Sequence, residues 1–189
     1  MCDRVQAIPG QSATEVTAWM QGHPTLRATA NERLQVQRTE TPARRFTFRA
    51  SIFPIGGVSN QNGTPSILNR RLDRSRIRVE TFQLVDVVDG VDYSDLEEAL
   101  RVLYGPDLYS DYRRSTPTRL YPIYPDTTSP QLPRLNRSYA QGQVRVGNTY
   151  GYWLELISNP DGTIQTGSIT VVLAEDVDQL LTHLEQTDR

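Results

Sequence analysis

Arginine and tyrosine are the residues in this sequence whose types and spacing point most directly to chemistry. Every basic side chain apart from two histidines is an arginine, and the chain contains no lysine. The planar arginine guanidinium binds phosphate and carboxylate through paired hydrogen bonds, and a tyrosine ring can stack on a planar ligand. The absence of lysine excludes a Schiff base, a pyridoxal phosphate linkage and a phosphate-loop lysine.

Two stretches concentrate these residues and define the candidate binding site. One is an arginine cluster at 70–78, and the other is a segment at 104–139 that holds six of the nine tyrosines and six of the twelve prolines. The candidate residues are Arg70, Arg71, Arg74, Arg76, Arg78, Arg113, Arg114, Arg119, Tyr121 and Tyr124. If the strands predicted at 45–53 and 76–88 are neighbours, their arginines merge into one basic patch.

The favoured function is a non-enzymatic accessory or assembly factor that binds another protein through this arginine- and tyrosine-rich surface. Arginine and tyrosine are enriched among the residues that dominate protein interfaces. The tyrosines at 104–139 lie among prolines, whereas bases usually stack on aromatic rings of a rigid sheet face. The competing structural explanation is that these tyrosines cover the core, and the sequence supports it equally.

An anion or nucleic-acid binder is the first alternative, and it would use the arginine cluster 70–78. The net charge of the chain is only −2, so no global field draws it to nucleic acid. This balance favours a solvated sheet face on which the arginines pair with acidic side chains. The acidic candidates are Glu32, Glu40, Asp73 and Glu80.

A ligand-binding or catalytic sheet with an enclosed pocket is the second alternative, with Trp153, Tyr152 and Phe48 as the proposed lining. No local motif supports catalysis, so we predict no cofactor and no metal. The histidines, His23 and His183, are far from each other and from Cys2 in sequence, which does not match a zinc site. Aspartates recur every third residue at Asp86, Asp89, Asp92 and Asp95. This spacing mismatches a calcium loop and favours a turn followed by an acid-capped helix.

Hydrophobic periodicity predicts a single α+β domain over residues 1–189. Its centre is the strand at 76–88, in which Arg76, Arg78 and Glu80 should share the polar face. Further strands are predicted at 26–38, 45–53, 143–146, 150–157 and 163–173, the first two forming a hairpin. The fold is an antiparallel meander or partly closed sheet of five to six strands. A helix lies at each end and one in the middle, all on one face.

The remaining segments are predicted as connections. Residues 56–74 form a long loop, and 104–139 form an extended segment because prolines at this density oppose helix and central strand. The middle helix is capped by Ser94 with Glu97 and ends at Gly105–Pro106. A single cysteine and no secretory or membrane-spanning segment predict a cytoplasmic protein without membrane contact.

Overall fold

The computed structural model describes residues 9–22, 27–28, 35–39, 41, 43–52, 54–55, 76–122 and 139–187. The helices are α1 (Ala13–Gly22), α2 (Tyr93–Arg114) and α3 (Val177–Thr187), with a 3-10 turn (Ala174–Asp176) before α3. The strands are β1 (Arg27–Ala28), β2 (Gln35–Thr39), β3 (Arg44–Ser51), β4 (Val79–Asp86), β5 (Thr116–Pro122), β6 (Tyr139–Val146), β7 (Tyr150–Ser158) and β8 (Ile164–Leu173). The α+β class and the positions of the three helices are confirmed.

The strands form one open antiparallel sheet in the order β1-β2-β3-β4-β8-β7-β6-β5. The predicted central strand is confirmed, because β4 lies between β3 and β8 and pairs with both along its length. The predicted hairpin of the first two strands is also confirmed as β2 and β3. The sheet gains a strand at each edge beyond the predicted set: the two-residue β1 and, within the proline-rich segment, β5.

Alternating side chains give the sheet an apolar core on each face. The first face packs against α1 and α2 through residues that include Val16, Phe82, Leu84, Leu96, Leu154 and Ile169. The second face packs against α3 through Val79, Val144, Val172, Val177, Leu180 and Leu184. The expectation that all helices lie on one face is therefore wrong. Both faces of β4 and β8 carry apolar residues, which explains the near-continuous apolar runs in their sequences.

Gly105 breaks α2 into two helical halves. Its φ of 77° and ψ of −175° are not helical, and only glycine adopts such a conformation readily. The Tyr112 hydroxyl donates a 2.9 Å hydrogen bond to Glu97 Oε1, although 15 residues of straight helix would separate their backbones by about 22 Å. The second half must therefore fold back toward the first at Gly105.

This break confirms the predicted end of the helix at Gly105–Pro106 but corrects the prediction for the residues after it. Residues up to Arg114 are helical, so the interpretation of 104–139 as wholly extended is wrong in its first part. Proline occupies the first turn of the second half, where its missing N–H costs nothing. Strand β5 is extended, and its two prolines are tolerated because it is an edge strand.

The cap of α2 also differs from the prediction. Asp92, rather than Ser94, is the N-cap, and it forms a reciprocal capping box with Asp95 rather than Glu97. The Asp92 carboxylate accepts from the Asp95 N–H at 2.9 Å, and Asp95 accepts from the Asp92 N–H at 3.0 Å. The predicted loop 56–74 and residues 123–138 lie outside the described residues.

Candidate binding surface

The sheet face that carries α3 is only partly covered by that helix. Helix α3 packs at one end of the face, against Val79, Val144 and Val172. The remainder carries polar side chains that are exposed or half-buried. We name this region the polar half-face; its members are Arg45, Thr47, Arg49, Thr81, Gln83, Glu155, Thr166 and Ser168.

Strand register aligns the polar half-face into rows that cross the sheet. Arg49 pairs with Thr81, and Thr81 pairs with Thr170. The two threonine hydroxyls are joined by a 3.1 Å hydrogen bond, which shows that these side chains share a face. The row ends in β5, where Arg119 pairs with Val144. Five strand steps separate Arg119 from Arg49, or about 24 Å at the usual strand spacing.

Arg45 and Arg49 are the exposed cations of this surface. They alternate with Thr47 along β3 and lie about 14 Å apart at the rise of an antiparallel strand. Both are exposed, and neither forms an ion pair with any described residue. These two guanidinium groups are therefore candidate donors to a ligand or partner.

Arg78, in contrast, is held by the start of α3. Its Nε donates to Asp176 Oδ2 at 2.9 Å, and its Nη2 donates to Asp176 Oδ1 at 2.5 Å and to Glu175 Oε1 at 2.8 Å. The hydrogen bonds that Arg78 donates to Asp176, together with the charges of both carboxylates, raise the pKa of Arg78. Because Asp176 is buried, this ion pair fixes α3 to the strand region and has a structural role.

The predicted merger of arginines is thus only partly realised. Strands β3 and β4 are neighbours as required, but Arg78 turns to α3, and Arg44 Nε lies 3.7 Å from Asp86 Oδ2. Glu80, expected on the solvated face, is fully buried on the α2 side instead. Arg76 is exposed, and its backbone forms an isolated β-bridge with Ser12.

The other predicted site residues that the structure describes are not brought to one place. Arg113 and Arg114 are exposed at the end of α2, where Arg114 Nε donates to the Ser110 carbonyl at 3.2 Å. Tyr121 pairs with Gly142 in the edge hairpin, on the same register row as Glu155. Arg70, Arg71, Arg74 and Tyr124 lie outside the described residues.

Three tyrosines of the 104–139 segment belong to the interior. Tyr104 and Tyr112 are buried in the first core, and Tyr109 packs against it. The Arg145 guanidinium lies 5.2 Å from the Tyr112 ring centroid and donates to the Ser115 hydroxyl and carbonyl. For these three residues the core-covering explanation is the right one.

Asp111, which no sequence pattern singles out, connects the second half of α2 to the sheet. Asp111 Oδ2 accepts from the Tyr152 hydroxyl at 2.8 Å, and Asp111 Oδ1 accepts from the Asn148 N–H at 3.0 Å. A Cβ on Gly147 would lie 2.1 Å from Asp111 Oδ2, so any larger residue there would displace that carboxylate. Burial, followed by the bond to Asp111, raises the pKa of Tyr152. The signal available in sequence was the alternation of Tyr150 and Tyr152, which predicts one face but not this partner.

The aspartate run behaves as the turn and cap predicted for it. Asp86 Oδ1 accepts from the N–H groups of Asp89 and Val88 at 3.0 and 3.1 Å, which lowers the pKa of Asp86. Asp92 and Asp95 form the capping box. Within the described ranges, no group of three or more histidine, cysteine or acidic residues could hold a metal ion.

The proposed pocket lining is wrong. Tyr152 and Phe48 are buried in the packed first core, whereas Trp153 lies with the second core on the opposite face. Two open grooves exist instead among the described residues. One, of about 610 Å³, is bordered by Arg76, Asn148, Tyr150 and Glu175, and the other, of about 450 Å³, surrounds the turn at 87–92.

Comparison with protein-family models, curated proteins and solved structures gave no match. The described helices include none with the length and apolar character needed to cross a bilayer. The candidate surface must therefore be judged on its own geometry.

Proposed function

We propose that this chain is a non-enzymatic accessory or assembly factor that binds another protein through the polar half-face. The observation that carries the proposal is the pair of exposed arginines, Arg45 and Arg49, on one side of β3 with no ion pair to a described residue. Hydroxyl and amide side chains on the adjacent strand, at Thr81 and Gln83, extend the hydrogen-bonding surface.

A protein partner fits this surface better than nucleic acid does. Arginine supplies strong hydrogen bonds and packing area at protein interfaces. The tyrosines that could have stacked on bases are, at 104, 109 and 112, part of the core. A single-strand binder normally lines a basic groove with exposed aromatic rings. The net charge of −2 also provides no general attraction to a polyanion.

The test compares two double variants of equal charge change. Arg45→Ser with Arg49→Ser alters the polar half-face, and Arg113→Ser with Arg114→Ser alters the exposed end of α2. Each tagged full-length chain is expressed in its native cell, and crosslinked proteins are quantified by mass spectrometry. We expect the first variant to lose a specific crosslinked protein that the second retains, with both melting as the unmodified chain does. Equal recovery from both variants would refute the proposal.

The salt dependence of heparin binding distinguishes the anion-binding alternative from a protein-binding factor. Chromatography of the same proteins on heparin, with Arg76→Ser added, measures electrostatic retention. Retention that falls steeply with salt and depends on Arg76 would favour the arginine cluster and a polyanionic ligand. Weak retention, unaffected by these changes, is the result expected for a protein-binding factor.

A further inference from the structure

Glu80 is a carboxyl group enclosed in the first core. It is 0 % exposed and lies in the centre of the sheet, between Ala50 of β3 and Val171 of β8 in register. Neither carboxyl oxygen has a hydrogen-bond partner among the described residues. An ionised carboxylate in such a place is strongly disfavoured because nothing replaces its hydration.

Among the described residues, no cation faces Glu80. The described titratable neighbours are Tyr104 of α2, whose buried hydroxyl also lacks a hydrogen-bond partner, and Tyr150 of β7. The core residues that α1, β3 and β8 contribute are apolar, and Arg78, two positions away, is held by Asp176. Burial raises the pKa of Glu80 well above its ordinary range, and the nearby Tyr104 hydroxyl offsets this only in part.

Tyr104 is the residue immediately before the break at Gly105. The buried carboxyl therefore faces α2 where its two halves meet and where the helical hydrogen-bond ladder is already interrupted. The second half is held beyond this point by Asp111, Tyr112 and Arg145. Local opening at the break would expose Glu80 to water while leaving the sheet hydrogen bonds intact.

We propose that Glu80 is a proton-operated latch that couples pH to the opening of α2 at Gly105. With its proton, Glu80 is a neutral group compatible with the core, and α2 closes over the sheet. When the proton leaves to solvent, the charge requires water, and the second half of α2 moves away to admit it. The latch adds pH control to a chain whose proposed binding surface lies on the other face of the sheet.

The direction of the pH effect follows from the raised pKa. Below the ordinary glutamate pKa of about 4.3, Glu80 is protonated in both folded and unfolded chains, and its contribution to stability is fully present. As pH rises toward the pKa of the buried carboxyl, this contribution is lost, by up to about tenfold in the folding equilibrium constant per pH unit. The variant Glu80→Gln carries a permanently neutral group of the same shape and should lack this loss.

The experiment measures urea unfolding of the full chain, of Glu80→Gln and of the exposed control Glu185→Gln from pH 5 to pH 9. The folding equilibrium constant of Glu80→Gln, divided by that of the wild type, should rise by at least about tenfold between pH 5 and pH 9. The same ratio for Glu185→Gln should not change with pH. Amide hydrogen exchange should show opening of residues 106–114 that increases with pH in wild type beyond the intrinsic exchange trend, but not in Glu80→Gln. Parallel stability profiles, or uniform exchange across α2, would overturn the latch.

A spectroscopic measurement keeps the test valid if Glu80→Gln folds poorly. The infrared carbonyl stretch of a protonated carboxyl should be present in the folded wild-type protein at pH 6 and disappear on alkaline titration. The Tyr104 hydroxyl forms no hydrogen bond with a described residue in the closed structure, but it can stabilise Glu80 once the carboxyl is ionised. In Tyr104→Phe the disappearance should therefore move to higher pH. Absence of the band at pH 6 would overturn the proposal.

Discussion

Replacement of Arg78 by alanine should destabilise the fold, although Arg78 belongs to the arginine cluster predicted to bind a partner. Its side chain is 13 % exposed and its partner Asp176 is 3 % exposed. Nε and Nη2 bind the two carboxylate oxygens of Asp176 as a fork, and Nη2 also reaches Glu175. Removing the guanidinium leaves the Asp176 carboxylate buried at the start of α3 without its cation.

The size of the effect follows from this burial. Removing one partner of a fully buried ion pair costs about 3–5 kcal/mol, largely because the remaining charge is uncompensated. Arg78 keeps a part of its surface in water, and Glu175 is largely exposed, so the attraction is partly screened. We therefore expect a loss of about 2–4 kcal/mol in the free energy of unfolding. For an exposed pair the loss should be below about 1 kcal/mol.

The assay is urea denaturation followed by circular dichroism, with Arg101→Ala as the matched control. Arg101 forms an exposed ion pair with Glu98 on α2. Both variants remove an arginine side chain from an ion pair, but only the Arg78 pair is largely buried. The midpoint for Arg78→Ala should fall clearly below that for Arg101→Ala. Equal midpoints would refute the assignment of Arg78 to the fold and return it to the candidate binding residues.

Three further substitutions test other parts of the structure by the same unfolding measurement. Tyr152→Phe removes the hydroxyl donor to Asp111 and should cost about 1.5–3 kcal/mol; a loss below about 0.5 kcal/mol would contradict the buried bond. Gly147→Ala places a methyl group against that carboxylate and should cost at least about 1–3 kcal/mol. Gly105→Ala should cost about 1–3 kcal/mol through its backbone conformation alone, because no described atom lies within 4 Å of the added Cβ.

Hydrophobic periodicity predicts the helices and strands of this fold but not which of them pack against each other. The alternation of Phe46, Phe48 and Ala50 with polar residues identified β3, and the Gly105–Pro106 pair located the break in α2. Proline density does not predict the second helical half after Pro106, because proline opposes a helix interior but is well tolerated in a first helical turn. Local sequence also does not determine the angle between the two halves of α2. It is this angle that brings Tyr112 to Glu97.

The single polar face predicted for Arg76, Arg78 and Glu80 is wrong because the alternation breaks before β4. Alternation from Arg76 to Glu80 predicted one polar face, but strand β4 begins only at Val79, so the alternation does not extend back through Arg78. Once Glu80 is placed among its neighbours, it shares a face with Phe82 and Leu84, which both belong to the first core. The charged residue type of Glu80 favours the solvated face. A buried carboxyl can nevertheless avoid the cost of desolvating a charge by keeping its proton.

The arginines of this protein are best separated by what already binds them. Arg78 and Arg145 have donors committed to buried or half-buried acceptors, and their loss is a loss of structure. Arg45 and Arg49 form no ion pair within the described chain, and surface substitutions of that kind change stability by only about 0.5 kcal/mol. Exposed arginines of an ordered strand that form no ion pair with a described residue are candidates for recognition. Local sequence does not record which acceptors an arginine reaches, so the separation of Arg78 from Arg45 and Arg49 comes only from the structure.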